Sequence, residues 1–215
     1  RFHPVKKWRY FAKEKSSAIT VFINYILLIS VSILLSLLIN KSFFYLNIFF
    51  LLCGVLYNIK PLRVKDIFIL DVVLESVNNP TRFLMGWFLI SPNLLPPISI
   101  ISFLWFVGCF LMTMKRYSEY KFIKQKKINP ELYRLSFKNY NSQNLFNISL
   151  FYCLISFFFF TIFIIKYKIE LLLIVPCVCY LYIHIFYIAQ KKNSIIMKIE
   201  KIYKDKIFIF IFIIL

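Results

Sequence analysis

Long uncharged stretches alternate with charged ones along this chain. The uncharged runs are residues 18–39, 43–57, 98–114 and 145–165, with a broken one at 207–215. A further run, 169–189, carries one acid, Glu170, at its edge. Another, about 67–90, is apolar but interrupted by Asp71, Glu75 and Arg82. A helix needs about 20 residues to cross a hydrocarbon core. Lipid cannot hydrogen-bond a backbone, so spans are helices or closed barrels, and these runs lack the alternation of barrel strands. The pattern predicts an all-α integral membrane protein with a single membrane domain, residues 1–215: six whole helices and the incomplete start of a seventh. The run 43–57 is short and is expected to extend into its flanks. The chain starts at Arg1 and stops inside an apolar run, so truncation is expected at both ends.

Lys and Arg are distributed very unevenly between alternate connections. Residues 1–17, 58–66, 115–144 and 190–206 hold 23 of them, and residues 40–42, 91–97 and 166–168 hold 3. The basic side is therefore predicted to be cytoplasmic. Its connections are also the longer ones, which places the working surface there. Asn129, Pro130 and Glu131 read as N-cap, first helical residue and first-turn acid. Tyr133, Phe137 and Tyr140 follow at i, i+4, i+7, so 130–140 is predicted as a short amphipathic helix at the interface.

The span 67–90 carries the informative polarity. Asp71, Glu75, Asn78 and Arg82 are spaced by 4, 3 and 4 residues, which sets them on one face of a helix. An ionisable group at bilayer depth costs about 2.5–3.5 kcal/mol on insertion scales, so these need partners or a water-filled cavity. Pro80 frees the carbonyl of Ser76 and favours a kink. Glu75 and Arg82 lie about 10 Å apart along a helix and cannot pair directly. Each needs a partner on another helix or on a ligand. Two readings stay open here, a polar cavity and a structural ion network.

Two clusters mark the cytoplasmic ends of spans, Tyr57–Asp66 and Lys115–Lys121. Each alone is an ordinary interfacial anchor of Tyr and Lys. With the intramembrane stripe and the basic N-terminal segment they outline a cationic bowl suited to a phosphate-bearing substrate. The candidate phosphate- and substrate-binding residues are Lys6, Arg9, Tyr57, Arg63, Lys65, Arg82, Lys115 and Arg116. Asp71, Glu75, Asn78 and Glu119 are the candidate polar cavity.

Composition narrows the function further. Of the 215 residues 60% are hydrophobic and 17% charged, and the net charge is +18. With the basic residues flanking spans, that charge reads as lipid-facing, so no nucleic-acid partner is expected. The five cysteines lie in apolar runs with no CxxC spacing, and only His3 and His184 accompany them. No zinc or disulfide pattern exists, and the chain offers no metal site of its own.

Arg1 to Ala12 resembles the D-R-x-H-P-x-K-x-x-R-P-I-A segment of UbiA-superfamily prenyltransferases. Lys115-Arg116-Tyr117-Ser118-Glu119 is similar to the K-R-Y-x-E of the branch containing decaprenyl-phosphate phosphoribosyltransferase. Asp71 to Arg82, preceded by Tyr57–Asp66, is similar to a segment of UbiA-like bacterial proteins. The resemblance covers most of residues 1–140. Arg9-Tyr10-Phe11-Ala12-Lys13-Glu14 departs from the family's R-P-I-A-x-G in losing Pro and Gly. The resemblance implies a bundle of nine transmembrane helices, of which about seven are present, in a bacterial inner membrane with the motif loops cytoplasmic. It also implies Mg²⁺ held by an aspartate-rich motif, N-D-x-x-D-x-x-x-D, directly before the D-R-x-H-P segment. That motif falls upstream of Arg1, so the catalytic residues remain unassigned and the chain as given is expected to be inactive. The implied function is transfer on a polyprenyl lipid. One acid beside two bases at Lys115–Glu119 favours a phosphorylated co-substrate, hence phosphoribosyl transfer to a polyprenyl phosphate. The alternatives are an aromatic-acceptor polyprenyltransferase and a non-catalytic membrane transporter or scaffold.

Overall fold

The structure, a computed structural model, describes residues 18–191 and 194–214. Among these, every regular element is helical. Helix α1 spans Ala18–Ile39, α2 Lys41–Asn58, α3 Leu70–Ser76, α4 Asn78–Ile90 and α5 Ile98–Gln125. Then follow α6 Pro130–Tyr133, α7 Ser142–Tyr167, α8 Val175–Gln190 and α9 Lys206–Ile214. Short 3₁₀ segments occupy Val64–Asp66, Leu135–Lys138, Ile169–Ile174 and Ile195–Lys204. Five helical stretches are long and apolar enough to cross a membrane: Ile19–Ile39, Lys41–Asn58, Ile98–Gln125, Ser142–Tyr167 and Ile169–Gln190. The chain is an all-α membrane bundle, as its pattern predicts.

Asparagine sets several helix starts. Asn40 accepts a hydrogen bond from the Phe43 amide at 2.8 Å and so caps α2. Its side-chain amide donates to the Phe88 carbonyl at 2.9 Å, satisfying an orphan acceptor in the last turn of α4. Asn141 caps α7 by accepting from the Asn144 amide at 2.6 Å. Asn129 accepts from the Glu131 amide at 3.0 Å, with Pro130 at the first helical position.

Helix α5 is the axis of the bundle. Its aromatic residues stack on antiparallel α7 through Phe103 with Phe160 and Phe106 with Phe159. Phe110 meets Tyr182 and Phe186 of α8, which runs parallel to α5. On the remaining side α5 packs against α3 and α4 at a small residue, Gly108. A Cβ there would meet the Asn79 amide and come within 3.1 Å of the Ser76 Cβ. Helix α1 packs along α2, where the Ser32 hydroxyl bonds the Asn47 side-chain oxygen at 3.2 Å.

Three regions differ from the sequence expectation. The span 67–90 is not one helix: α3 ends at Ser76 and α4 begins at Asn78. The break falls three residues before Pro80, which cannot donate to the Ser76 carbonyl. The span 98–114 continues as helix to Gln125, so α5 has 28 residues and a length of about 42 Å. Within this extension Arg116 and Glu119 are buried, whereas Lys124 and Gln125 at its end are exposed. Residues 130–140 are not one interfacial helix. The chain is extended at Arg134, with φ −156°, and Phe137 and Tyr140 turn into the core.

Candidate active site

The site lies at one end of the bundle. It is built from the C-terminus of α2, the connection 59–69, α3, the last third of α5 and the segment 126–141. Its centre is Arg116, whose side chain is 3% exposed. A guanidinium stays charged when buried, so it must be neutralised where it sits. Its Nε donates to Asp71 Oδ2 at 3.1 Å, Nη2 to Glu75 Oε2 at 3.0 Å and Nη1 to Glu119 Oε2 at 3.1 Å. Glu119 lies one turn further along α5, and Asp71 and Glu75 occupy successive turns of α3. One planar fork thus joins the two helices at three points.

Asp71 is fully buried and shared further. Its Oδ1 accepts from the Tyr140 hydroxyl at 2.8 Å, and its Oδ2 accepts from Ser136 Oγ at 3.4 Å. The Tyr140 hydroxyl also accepts from the Ile69 amide at 2.9 Å. Ile69 has φ 64°, a conformation that β-branched residues rarely adopt. Such a residue costs on the order of 1–3 kcal/mol and persists only when its surroundings hold it. Tyr140 does so, fixing the turn that feeds Asp71 into the site. Burial and the neighbouring Asp71 push the Tyr140 phenol well above its ordinary range, so it remains a donor.

The outer rim is basic. Tyr57 donates its hydroxyl to Glu75 Oε2 and accepts from Arg134 Nη2 at 2.9 Å. Arg134 Nη2 also lies 3.4 Å from the Lys65 carbonyl. Arg134 Nε is 3.4 Å from Asp71 Oδ2, but no acceptor meets it in hydrogen-bonding geometry, and it is buried. Lys65 Nζ donates to Asn58 Oδ1 at 3.2 Å, and Arg63 Nε pairs with Asp66 at 3.0 Å. Burial, then the charge of Arg63, holds the Lys65 ammonium below its usual range, with Arg134 adding to this and Asp66 opposing it. The site is therefore acid-rich within, where three carboxylates share Arg116, and cationic at its edge. Glu75, with 31% of its side chain exposed, links the two zones.

The candidate residues do not all meet. Asp71, Glu75, Glu119, Arg116 and Tyr57 converge, with Lys65 and Arg63 at the edge. Arg116, a candidate for phosphate binding, instead meets three carboxylates, one at each of its nitrogens. Arg82 does not join the acids of its stripe. It is exposed on α4, 5.6 Å from the Phe50 ring of α2. The stripe does face one neighbour: Glu75 meets Tyr57 and Arg82 meets Phe50, seven residues apart on both antiparallel helices. Asn78 opens α4 and Lys115 is half-buried, and neither enters the hydrogen bonds of the cluster among the described residues. Lys6 and Arg9 lie outside the described residues. Arg134, Ser136 and Tyr140 were missed. The signal was the need of Asp71 for partners, which the sequence shows without saying where they are.

The resemblance implies Mg²⁺. Among the described residues no three His, Cys, Asp or Glu side chains are placed to hold a metal ion. The three acids that converge are held by a guanidinium instead. These residues do not fit the ion.

The order of the chain through this site is telling: Tyr57 to Lys65, then Asp71 and Glu75, then Arg116 and Glu119. The model of the UbiA prenyltransferase family matches residues 1–204. The chain belongs to that family. No curated protein and no solved structure matches it. Membership of the UbiA family makes it an integral membrane protein of the prenyltransferase type and implies a polyprenyl lipid as substrate.

Proposed function

We propose that this UbiA-family protein transfers a phosphoribosyl group to a polyprenyl phosphate. The observation that carries the reading is the cationic edge. Lys65, Arg63 and Arg134 crowd together, burial and then the charge of Arg63 hold the Lys65 ammonium below its usual range, and Arg134 keeps a buried N–H without an acceptor. An arriving phosphate relieves both penalties at once.

In this reading the polyprenyl phosphate enters from the lipid and the phosphoribosyl diphosphate from the cytoplasmic side. An oxygen of the lipid phosphate attacks the anomeric carbon as the bond to the diphosphate breaks, and diphosphate leaves with the bonding electrons. Lys65, Arg63 and Arg134 hold the phosphates, with Lys6, Arg9 and Lys115 as further contributors. Preorganised cations serve such a reaction by stabilising charge and fixing geometry. Glu75 reaches the edge and accepts a sugar hydroxyl. Arg116 acts as a positioning residue, holding Asp71 and Glu75 in place.

The test uses the protein expressed from its complete gene, in vesicles. Radiolabelled phosphoribosyl diphosphate is expected to label the lipid phase when polyprenyl phosphate is supplied. Arg134→Gln should raise KM for the phosphorylated substrate. Label transfer from a polyprenyl diphosphate to an aromatic acid instead would establish the aromatic-acceptor reaction and sink this proposal, as would transfer in neither assay.

A further inference from the structure

A second polar feature lies at the opposite end of the bundle, independent of the transfer reading. Helix α5 begins there at Ile98 behind Pro97, which gives it no side-chain cap. The Ile100 and Ile101 amides bond the Pro97 carbonyl at 3.2 and 3.4 Å, and the Ile98 and Ser99 amides ahead of them have no side-chain cap. The N-terminus of a long helix presents free N–H groups and the positive end of its dipole. A groove of about 510 Å³ opens beside it, lined by Leu95, Pro97, Ser99, Phe159, Ile162 and Lys166 among others. Ser99 is only 9% exposed, and its hydroxyl is buried with no hydrogen-bond partner. An unbonded buried hydroxyl costs about 1–3 kcal/mol, so its position calls for an acceptor. Lys166, at the end of α7, is exposed with its ammonium 5.5 Å from the Tyr167 ring. A cation and an aromatic ring at a span end mark the headgroup level.

We propose that this groove binds an anionic glycerophospholipid. The headgroup phosphate accepts from Lys166 Nζ, from the uncapped Ile98 and Ser99 amides of α5 and from Ser99 Oγ after a turn about χ1. An acyl chain lies along Phe159 and Ile162. The charge argument selects the occupant. Free helix N–H groups, a hydroxyl donor and an ammonium all favour an anion, and no carboxylate lines the groove. The apolar lining at membrane depth selects a lipid over a soluble anion. This end of the bundle holds only Lys41, Lys166 and Lys168 as cations in its connections, so few other places there offer the same match.

The experiment is native mass spectrometry of the purified protein in detergent, with phosphatidylglycerol or phosphatidylcholine of identical acyl chains. One phosphatidylglycerol per chain should be retained in preference to phosphatidylcholine. Lys166→Gln should lower that retention about tenfold, the loss of one charge-assisted hydrogen bond, and Ser99→Ala should lower it several-fold. Lys41→Gln, at the same end but outside the groove, should leave it unchanged. Equal retention of the two lipids overturns the proposal, as does a loss with Lys41→Gln equal to that with Lys166→Gln. A third arm adds inorganic phosphate: displacement of the lipid by millimolar phosphate would reassign the site to a soluble anion. Thermal unfolding of each variant without added lipid separates folding defects from binding. Ser99→Ala should unfold at or above the wild-type temperature, because it removes an unsatisfied group.

Discussion

Replacing Arg116 by Met tests the centre of the site most directly. The two side chains are similar in length, so packing is largely kept while the charge is removed. Three carboxylates then lose a partner at 3.0–3.1 Å. They do not lose equally. Glu75 is 31% exposed and keeps Tyr57, and Asp71 keeps Tyr140 and Ser136. Glu119, with a side chain 7% exposed, has Arg116 as its ion-pair partner. Removing one member of a buried pair costs about 3–5 kcal/mol, because it leaves an uncompensated charge. For a domain of this size 1 kcal/mol shifts Tm by about 2–4 °C, so Arg116→Met should lower Tm by roughly 8–16 °C if it costs about 4 kcal/mol. The assay is thermal unfolding in lipid nanodiscs with a thiol-reactive dye. Cys109 is 1% exposed and reacts as the bundle opens. Adding Glu119→Gln to Arg116→Met should restore part of the loss, about 1–2 kcal/mol, although two residues are now changed. A single variant within about 1 kcal/mol of wild type would refute the reasoning. So would a double variant less stable than the single one.

Gly108→Ala brings a Cβ within 3.1 Å of the Ser76 Cβ, and should cost about 1 kcal/mol, while Gly108→Leu should cost about 3 kcal/mol or more by forcing α5 from α3 and α4. Denaturant or thermal midpoints check both. Tyr140→Phe removes the hydroxyl that joins the Ile69 amide to Asp71, and should destabilise the protein by about 1–3 kcal/mol with faster hydrogen exchange at Ile69. Asp205 caps α9 through the Phe208 amide at 2.9 Å and meets His184 at 2.9 Å. Burial opposes its ionisation, but these hydrogen bonds outweigh that and hold its carboxyl below the usual range. Its stabilisation is therefore full above the unfolded carboxylate range and lost as pH falls through the lower folded value. Asp205→Ala should lower Tm near neutrality, by about 0.5–2 kcal/mol in equivalent terms, and the gap to wild type should narrow in acid.

The sequence by itself determined the membrane class and where most of the long apolar helices lie. A backbone in lipid has few ways to satisfy itself, so apolar runs of spanning length settle those matters locally. It also marked Asp71, Glu75 and Arg82 as residues needing partners, because charge at that depth is costly wherever it lies. Which charges meet is a different kind of fact. Arg82 shares a helical stripe with the acids, yet the antiparallel packing of α2 sets it on Phe50. Arg116, 45 residues from Asp71, is the cation that meets those acids. Arg134 and Tyr140 reach Asp71 because the chain is extended at Arg134 and turns its aromatic residues inward, where the spacing alone fits an interfacial helix. Periodicity fixes the face a residue occupies on its own element. Only the packing of α3, α5 and the 126–141 segment decides what that face meets, since an ion pair across helices depends on register and rotation that no local pattern encodes.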